Sequence, residues 1–485
     1  MSRTETKIAA LGRRALLADP RAEWARGVPL HAAADQAVLT RAEAQQVVEK
    51  AVRMSKADGI EVQVGSSYTG NVRFAANQMS TSGAASNAQL AVQSSFGPKH
   101  AVVTTNDLSD ESIRRAVEQS ERMARLAPDD PEAMPELPAQ QYLPVTSWFE
   151  RTAALTPADR ARAALAALQL TRATRGQGDA ELLAAGYLEA GMGATALGNK
   201  SGMFAYHRST RSNYTLTVRS ADGTGSGWAA ADHPDFGQVD AAGIARRAAE
   251  KARLSRTPVA IEPGRYTVIL EPQAVGDLVQ LVGNYAGARE ADEGRSPFVK
   301  QGGGNKIGMK VADERVTLFS DPADPQLLAR PWDGDGLPLG RQVWIENGVL
   351  KQLYYSRFWA KKQGKAATGA PSSLKMAGGT QSLDDLIRGT QRGVLVTRLW
   401  YLREVDPRTI LYTGLTRDGT FLVENGRVTK ALRNFRFNES PLFLLNNLEA
   451  LGRAERLAGT EQGGDVVMPS LRARDFNFTS LSEAV

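Results

Sequence analysis

The hydrophobic positions along the chain change period several times, and each change marks an element. Thr40-Arg-Ala-Glu43 has the form of a capping box, in which hydroxyl and carboxylate each satisfy an unpaired amide at a helix start. Beyond it Ala44, Val47, Val48, Ala51 and Val52 share one helical face, which predicts a helix to about Ala57. The period then drops to two. Glu61–Val64, Asn71–Phe74 and Gln89–Gln93 alternate apolar and polar residues and predict strands. Helical spacing returns over 109–126, where Ile113, Ala116, Val117 and Met123 fall together. Residues 127–144 are an extended surface excursion on this reading, because the four prolines from Pro128 to Pro138 suit neither a helix nor a central strand. Thr156-Pro157 opens another helix, since proline at the first helical position sacrifices no hydrogen bond. Strands follow over 182–218, interrupted by a turn at Asn199–Gly202, and a helix over 240–253 closes this half.

The second half is rich in strand signals. Arg265–Leu270 reads as a buried strand and Val394–Val405 as a long one. Asn347-Gly348 and Asn425-Gly426 each sit between alternating runs, where Asn-Gly supplies the two positive φ angles of a tight hairpin. Runs of adjacent strands imply antiparallel pairing and an α+β class. The expected organisation is an arm at 1–39, an antiparallel sheet with flanking helices at 40–258, and a β-rich domain, barrel-like or sandwich, at 259–485.

Composition narrows the chemistry. No apolar run reaches the roughly 18 residues a membrane helix needs. Arg13-Arg14 with Ala15-Leu16-Leu17 starts like an export signal but meets Asp19 and Pro20 at once, so a cytoplasmic location is expected. There are no cysteines, which excludes disulfides, thiolate nucleophiles and Cys-ligated zinc. The net charge of +6 is small and spread along the chain, which argues against nucleic acid as a partner. The densest basic cluster, Arg357, Lys361, Lys362 and Lys365, is either a solvated face or a contact for an acidic partner or ligand.

Several short motifs occur in a recognisable order: Arg73-x-x-x-Asn77, Asn199-x-Ser-Gly202, Asp333-Gly-Asp-Gly336, Glu346-Asn-Gly-Val-Leu350, Ala366-Ala-Thr-Gly369, Glu424-Asn-Gly426 and Val467-Met-Pro-Ser-Leu471. From about residue 40 to 485 the chain resembles the TldD/PmbA family, also called modulators of DNA gyrase, and its closing strand is similar to the PmbA (TldE) branch. The catalytic branch of that family carries His-Glu-x-x-x-His on a helix and a later cysteine, which grip zinc and activate its water. Here the resemblance places Gln280 and Tyr285 at the histidines and Leu281 at the glutamate, and no histidine follows His233. The implied role is a catalytically silent subunit that dimerises with a zinc-bearing TldD-like metallopeptidase. It would be inactive alone, with no cofactor in this chain and the zinc in the partner. Together such pairs degrade unfolded peptides or trim leader segments. A non-enzymatic binding or regulatory protein is the alternative.

Other positions carry two readings. Asp333, Asp335 and Glu346 suit acid–base work, or Asp-Gly-Asp-Gly is a tight turn whose carboxylates bond local amides. Asp333, Gly336, Thr368 and Gly369 are candidates for a substrate groove. Thr368-Gly369 and Ala377-Gly-Gly379 either let an added peptide strand approach or form a flexible connection. Gln301–Lys306 lacks the frame of a phosphate loop and reads as a mobile cleft rim. Phe435, Phe437 and Leu442–Leu445 suit core packing or a subunit interface. His31, His100, His207 and His233 read as ordinary structural or surface histidines.

Overall fold

The computed structural model describes residues 38–173, 181–371, 373–459 and 464–482. The expected arm before Thr40, and His31 with it, lies almost wholly outside the described residues. Helix α1 (Arg41–Met54) begins with the capping box: Thr40 Oγ1 accepts from the Glu43 amide at 3.3 Å and the Glu43 carboxylate from the Thr40 amide at 2.8 Å. It stops three residues short of the predicted end. There the buried Glu121 carboxylate takes the Ala57 amide at 3.1 Å and the Ser55 hydroxyl at 2.9 Å, which draws the chain out of the helix.

The first sheet is antiparallel throughout. Its strands are β1 (Gly59–Ala75), β2 (Gln78–Phe96), β3 (Lys99–Thr105), β4 (Leu182–Asn199), β5 (Phe204–Ser220) and β6 (Ser226–His233), in the order β3-β2-β1-β4-β5-β6. The predicted strands 61–64 and 71–74 are one strand, because β2 and β4 pair with β1 on both edges straight through Gly65–Gly70. Four longer helices and one short turn of helix flank it. Alongside α1, α2 (Asp110–Leu126) packs Ile113 and Val117 on Val62, Val64, Leu90 and Val92. After the short α3 (Glu150–Ala153), α4 (Pro157–Ala173) and α5 (Ala241–Leu254) cover Val72, Phe74, Leu188 and Leu216. The proline-rich segment is extended as predicted but tied down: Leu137 and Tyr142 pack against Leu197, Met203 and Trp332, and the Leu137 carbonyl accepts from Asn199 Nδ2 at 2.8 Å.

The second half builds one larger sheet from β7 (Gly264–Leu270), β8 (Leu318–Ser320), β9 (Gln342–Glu346), β10 (Val349–Leu350), β11 (Ser373–Met376), β12 (Arg392–Asp406), β13 (Leu411–Glu424), β14 (Arg427–Ala431), β15 (Phe435–Glu439), β16 (Leu448–Arg456) and β17 (Asp465–Leu481). The circuit β17-β15-β13-β12-β7 closes because β7 also pairs with β17, so this part is barrel-like. Both Asn-Gly hairpins form, with φ of 48° and 77° at Asn347 and Gly348 and 50° and 75° at Asn425 and Gly426. The purely antiparallel expectation is corrected by two parallel pairs, β7–β12 and β11–β17. The chain leaves β7 into helices instead of a two-residue turn, and that long crossover permits a parallel return. Inside, Phe435, Phe437, Phe476 and Phe478 stack, with neighbouring ring centroids 4.6 to 5.4 Å apart. Leu444 and Leu445 join this core, which favours the packing reading of that apolar run, whereas Phe443 is exposed.

Candidate functional site

Strand β7 delivers the chain into α6 (Pro272–Val279), α7 (Leu281–Asn284) and α8 (Ala288–Asp292). Proline at the first position starts α6, and Ala274, Val275, Leu278 and Val279 hold it in the core. At Gln280 the hydrogen bonding tightens. The Gly283 amide reaches the Gln280 carbonyl at 3.0 Å and the Tyr285 amide reaches Val282 at 3.2 Å, both three residues back. This overwinding separates α6 from α7. The structure thus places Gln280, Leu281 and Tyr285 on one broken helix with different surroundings. Leu281 is fully buried. The Tyr285 hydroxyl bonds the Glu404 carboxylate and, at 3.1 Å, the Tyr412 hydroxyl. Burial first, then the bond to Glu404, holds this phenol well above its usual range, so it stays protonated.

Gln280 lines a cavity of about 550 Å³ between α7 and the second sheet. These three residues do not fit zinc. A neutral amide is a weak ligand, leucine has no donor atom, and the Tyr285 hydroxyl is already engaged by a carboxylate. Among the described residues no group of three or more His, Cys, Asp and Glu is arranged to hold a metal ion.

A second cluster forms around Asp333. Its carboxylate accepts the amides of Asp335 at 3.0 Å, Leu337 at 2.9 Å and Ala370 at 3.0 Å. It therefore closes the Asp-Gly-Asp-Gly turn and pins the 366–370 segment to it. The Gly336 carbonyl accepts from the Tyr142 hydroxyl at 2.9 Å. Thr368 Oγ1 accepts the Tyr355 amide at 2.7 Å. Asp333, Gly336, Thr368 and Gly369 thus come together, away from Gln280 and Tyr285 in sequence, with many of their polar groups bonded inside the chain. Glycines 378 and 379 serve the chain itself. Cβ atoms there would stand 2.7 Å from the Ala454 nitrogen and 2.4 Å from the Leu451 carbonyl, so their close approach is to β16 and to neither a peptide nor solvent. In the Gln301–Lys306 loop the Lys306 amine donates to the Pro297 carbonyl at 2.8 Å.

Local sequence signals missed an acidic cleft of about 810 Å³ beside this turn, lined by Asp58, Glu61, Asp130, Glu132, Glu136 and Asp335 with His100 and Arg357. Arg357 reaches in from the start of α9 (Arg357–Gln363), where it donates to the Pro135 carbonyl. Lys365 instead donates to the Tyr355 hydroxyl at 2.8 Å. Burial, then the charge of Asp335, pushes Glu61 up to about 7. A carboxylate whose folded value is raised favours the folded state while protonated, so stability falls as pH rises from about 4.5 through about 7. Glu61→Gln removes that loss. The variant's melting temperature relative to the parent is expected to match below pH 4.5 and to rise to a plateau above pH 7. Parallel pH profiles for the two proteins would refute the assignment.

Three consecutive segments match domain profiles of one family: the PmbA/TldA metallopeptidase domain 1 over 60–124, the central domain over 153–256 and the C-terminal domain over 263–480. The chain belongs to the PmbA/TldD family. Metalloprotease PmbA of Escherichia coli O157:H7 is 24% identical over 468 residues, which cover 90% of this chain and 98% of that one. A metalloprotease of Methanothermobacter thermautotrophicus is 26% identical over 232 residues, and there the match spans 44% of this chain and 48% of the relative, about half its length. The crystal structure of TldE from Thermococcus kodakarensis superposes with a TM-score of 0.79 over 89% of this chain and 99% of that one; at 18% identity this likeness establishes the fold. In this PmbA/TldD chain no helix among the described residues is long and apolar enough to cross a membrane.

Proposed function

We propose that this chain is the non-catalytic subunit of a heteromeric TldD/TldE-type metallopeptidase in the cytoplasm, and that it shapes the peptide chamber while a zinc-bearing TldD-like partner performs the hydrolysis. The observation that carries this reading is the α6–α7 segment, where Gln280 and a Tyr285 tied to Glu404 and Tyr412 occupy the positions that the resemblance matches to the zinc-binding histidines, and Leu281 the one it matches to the glutamate. None of them offers zinc a ligand set or its water a base. The likeness to TldE in fold, and to proteins named metalloproteases in sequence, supports assigning the chain to the proteolytic family.

The test is to purify the chain alone and together with its TldD-like partner, then measure bound zinc and cleavage of an unfolded peptide. The lone chain is expected to hold far less than one zinc and to cleave nothing, and the mixture to cleave. Stoichiometric zinc with robust cleavage by the isolated chain would overturn the division of labour. A mixture no more active than the partner alone would remove the partnership.

A further inference from the structure

The cavity of about 550 Å³ beside α7 has a floor of Phe298, Leu318, Trp344, Ile345 and Leu350, and Gly283 and Asn284 at its exposed rim. Each of the five floor residues is at most 6% exposed, so little besides this opening wets the apolar surface. The volume is that of a small-ligand site. Gln352 lies in the same wall, and its side-chain amide nitrogen is buried without a hydrogen-bond partner. A buried donor left unmatched is costly, and an incoming acceptor removes that cost. The charged residues lining the cavity, Glu290 and Asp465, are both acidic. Asp465 is already paired with Arg456, so Glu290 is the charge that opposes the carboxylate or phosphate head of a lipid, while a neutral or cationic chain is tolerated.

We infer that this cavity is a subsite for one bulky apolar side chain of a bound peptide, with a neighbouring main-chain carbonyl taking the free Gln352 amide hydrogen. The substrate class it selects is extended, non-acidic peptide carrying Leu, Phe or a residue of similar bulk. The inference builds on the peptide-handling role proposed above and gives the silent subunit a part in specificity: it selects which side chain enters.

Binding to the isolated chain tests this without zinc or partner. The probes are blocked tripeptides, acetyl-Ala-X-Ala-amide with X as Leu, Phe, Ser or Asp, titrated by calorimetry. The Leu and Phe peptides are expected to bind on the order of tenfold or more tighter than the Ser and Asp peptides, the difference that burying one large apolar side chain supplies. A Cβ at Gly283 meets nothing within 4 Å, so Gly283→Ala leaves the fold intact, and circular dichroism checks that Gly283→Trp does as well. Gly283→Trp is expected to abolish the preference and Gly283→Ala to keep it. Gln352→Leu weakens all four peptides together.

Equal affinity for the four peptides, an unchanged preference in Gly283→Trp, or equally effective competition by a fatty acid would each overturn the inference. Selective binding by a chain that never activates a partner would leave the subsite standing and remove only the partnership. An active pair whose silent subunit shows no selectivity would do the reverse.

Discussion

Asp333→Ala is expected to cost about 2 to 4 kcal/mol, because three part-buried amides lose one shared charged acceptor and hydrogen bonds to charged groups contribute about 1.5 to 3 kcal/mol each where water does not replace them. Asp333 is 3% exposed, so water cannot replace it cheaply. The damage should localise: the amides of Asp335, Leu337 and Ala370 all end on this carboxylate. Hydrogen exchange at those three positions is the direct measurement, and protection is expected to fall there by more than at the β12–β13 pairs. Asn keeps one oxygen, so Asp333→Asn retains the bonds to Asp335 and Leu337 and turns a donor toward Ala370. It should lie between parent and Ala. The charge of Asp333 also helps to raise Glu61, Asp335 and Tyr142, so both variants move those groups back toward their ordinary values. Unchanged exchange at all three amides would show that the carboxylate does not hold the turn.

Arg456 is the other position where one side chain secures distant elements. Its guanidinium contacts Asp232 on β6 at 3.0 Å, Asp465 on β17, and the carbonyls of Gln326 and Leu327 at 2.8 Å each. It thereby joins the first sheet to the second. The side chain is 10% exposed, and Asp465, raised by burial, is held down chiefly by this arginine. Asp232 is 17% and Asp465 39% exposed, so water screens part of the charge the arginine leaves behind, and Arg456→Met is expected to cost about 2 to 4 kcal/mol in urea unfolding. Lysine cannot reproduce four contacts from a planar fork, so Arg456→Lys recovers only part. Combining Arg456→Met with Asp232→Asn and Asp465→Asn should regain stability over Arg456→Met alone, because no charge is then left unpaired. A single-variant loss below about 1 kcal/mol, the scale of an exposed pair, would show that the network is surface decoration.

Local chemistry was legible in the sequence to the extent that it depends on neighbours in the chain. The Thr40–Glu43 box, the turn at Asn199–Gly202 and both Asn-Gly hairpins form where residue type alone placed them. So does the Asp333 turn, whose carboxylate bonds amides two and four residues on. The end of α1 was misplaced because Glu121, 64 residues beyond Ala57, decides it. The acidic cleft was invisible for the same reason. Its carboxylates come from β1, the proline-rich segment and the Asp333 turn, and no window of sequence holds more than a few of them.

What the sequence determined by itself was therefore the alternation of elements, the α+β class and, through its ordered motifs, the family. It also carried the expectation that Gln280, Leu281 and Tyr285 make a poor zinc ligand set, since donor chemistry belongs to the side chain wherever it lies. Tertiary structure alone decided the parallel pairing of β7 with β12, the closure through β17, and the Tyr285 contacts with Glu404 and Tyr412. It also brought together the walls of the two cavities. Those features join residues more than a hundred positions apart, and such contacts are chosen by packing of the whole core, which no local period encodes.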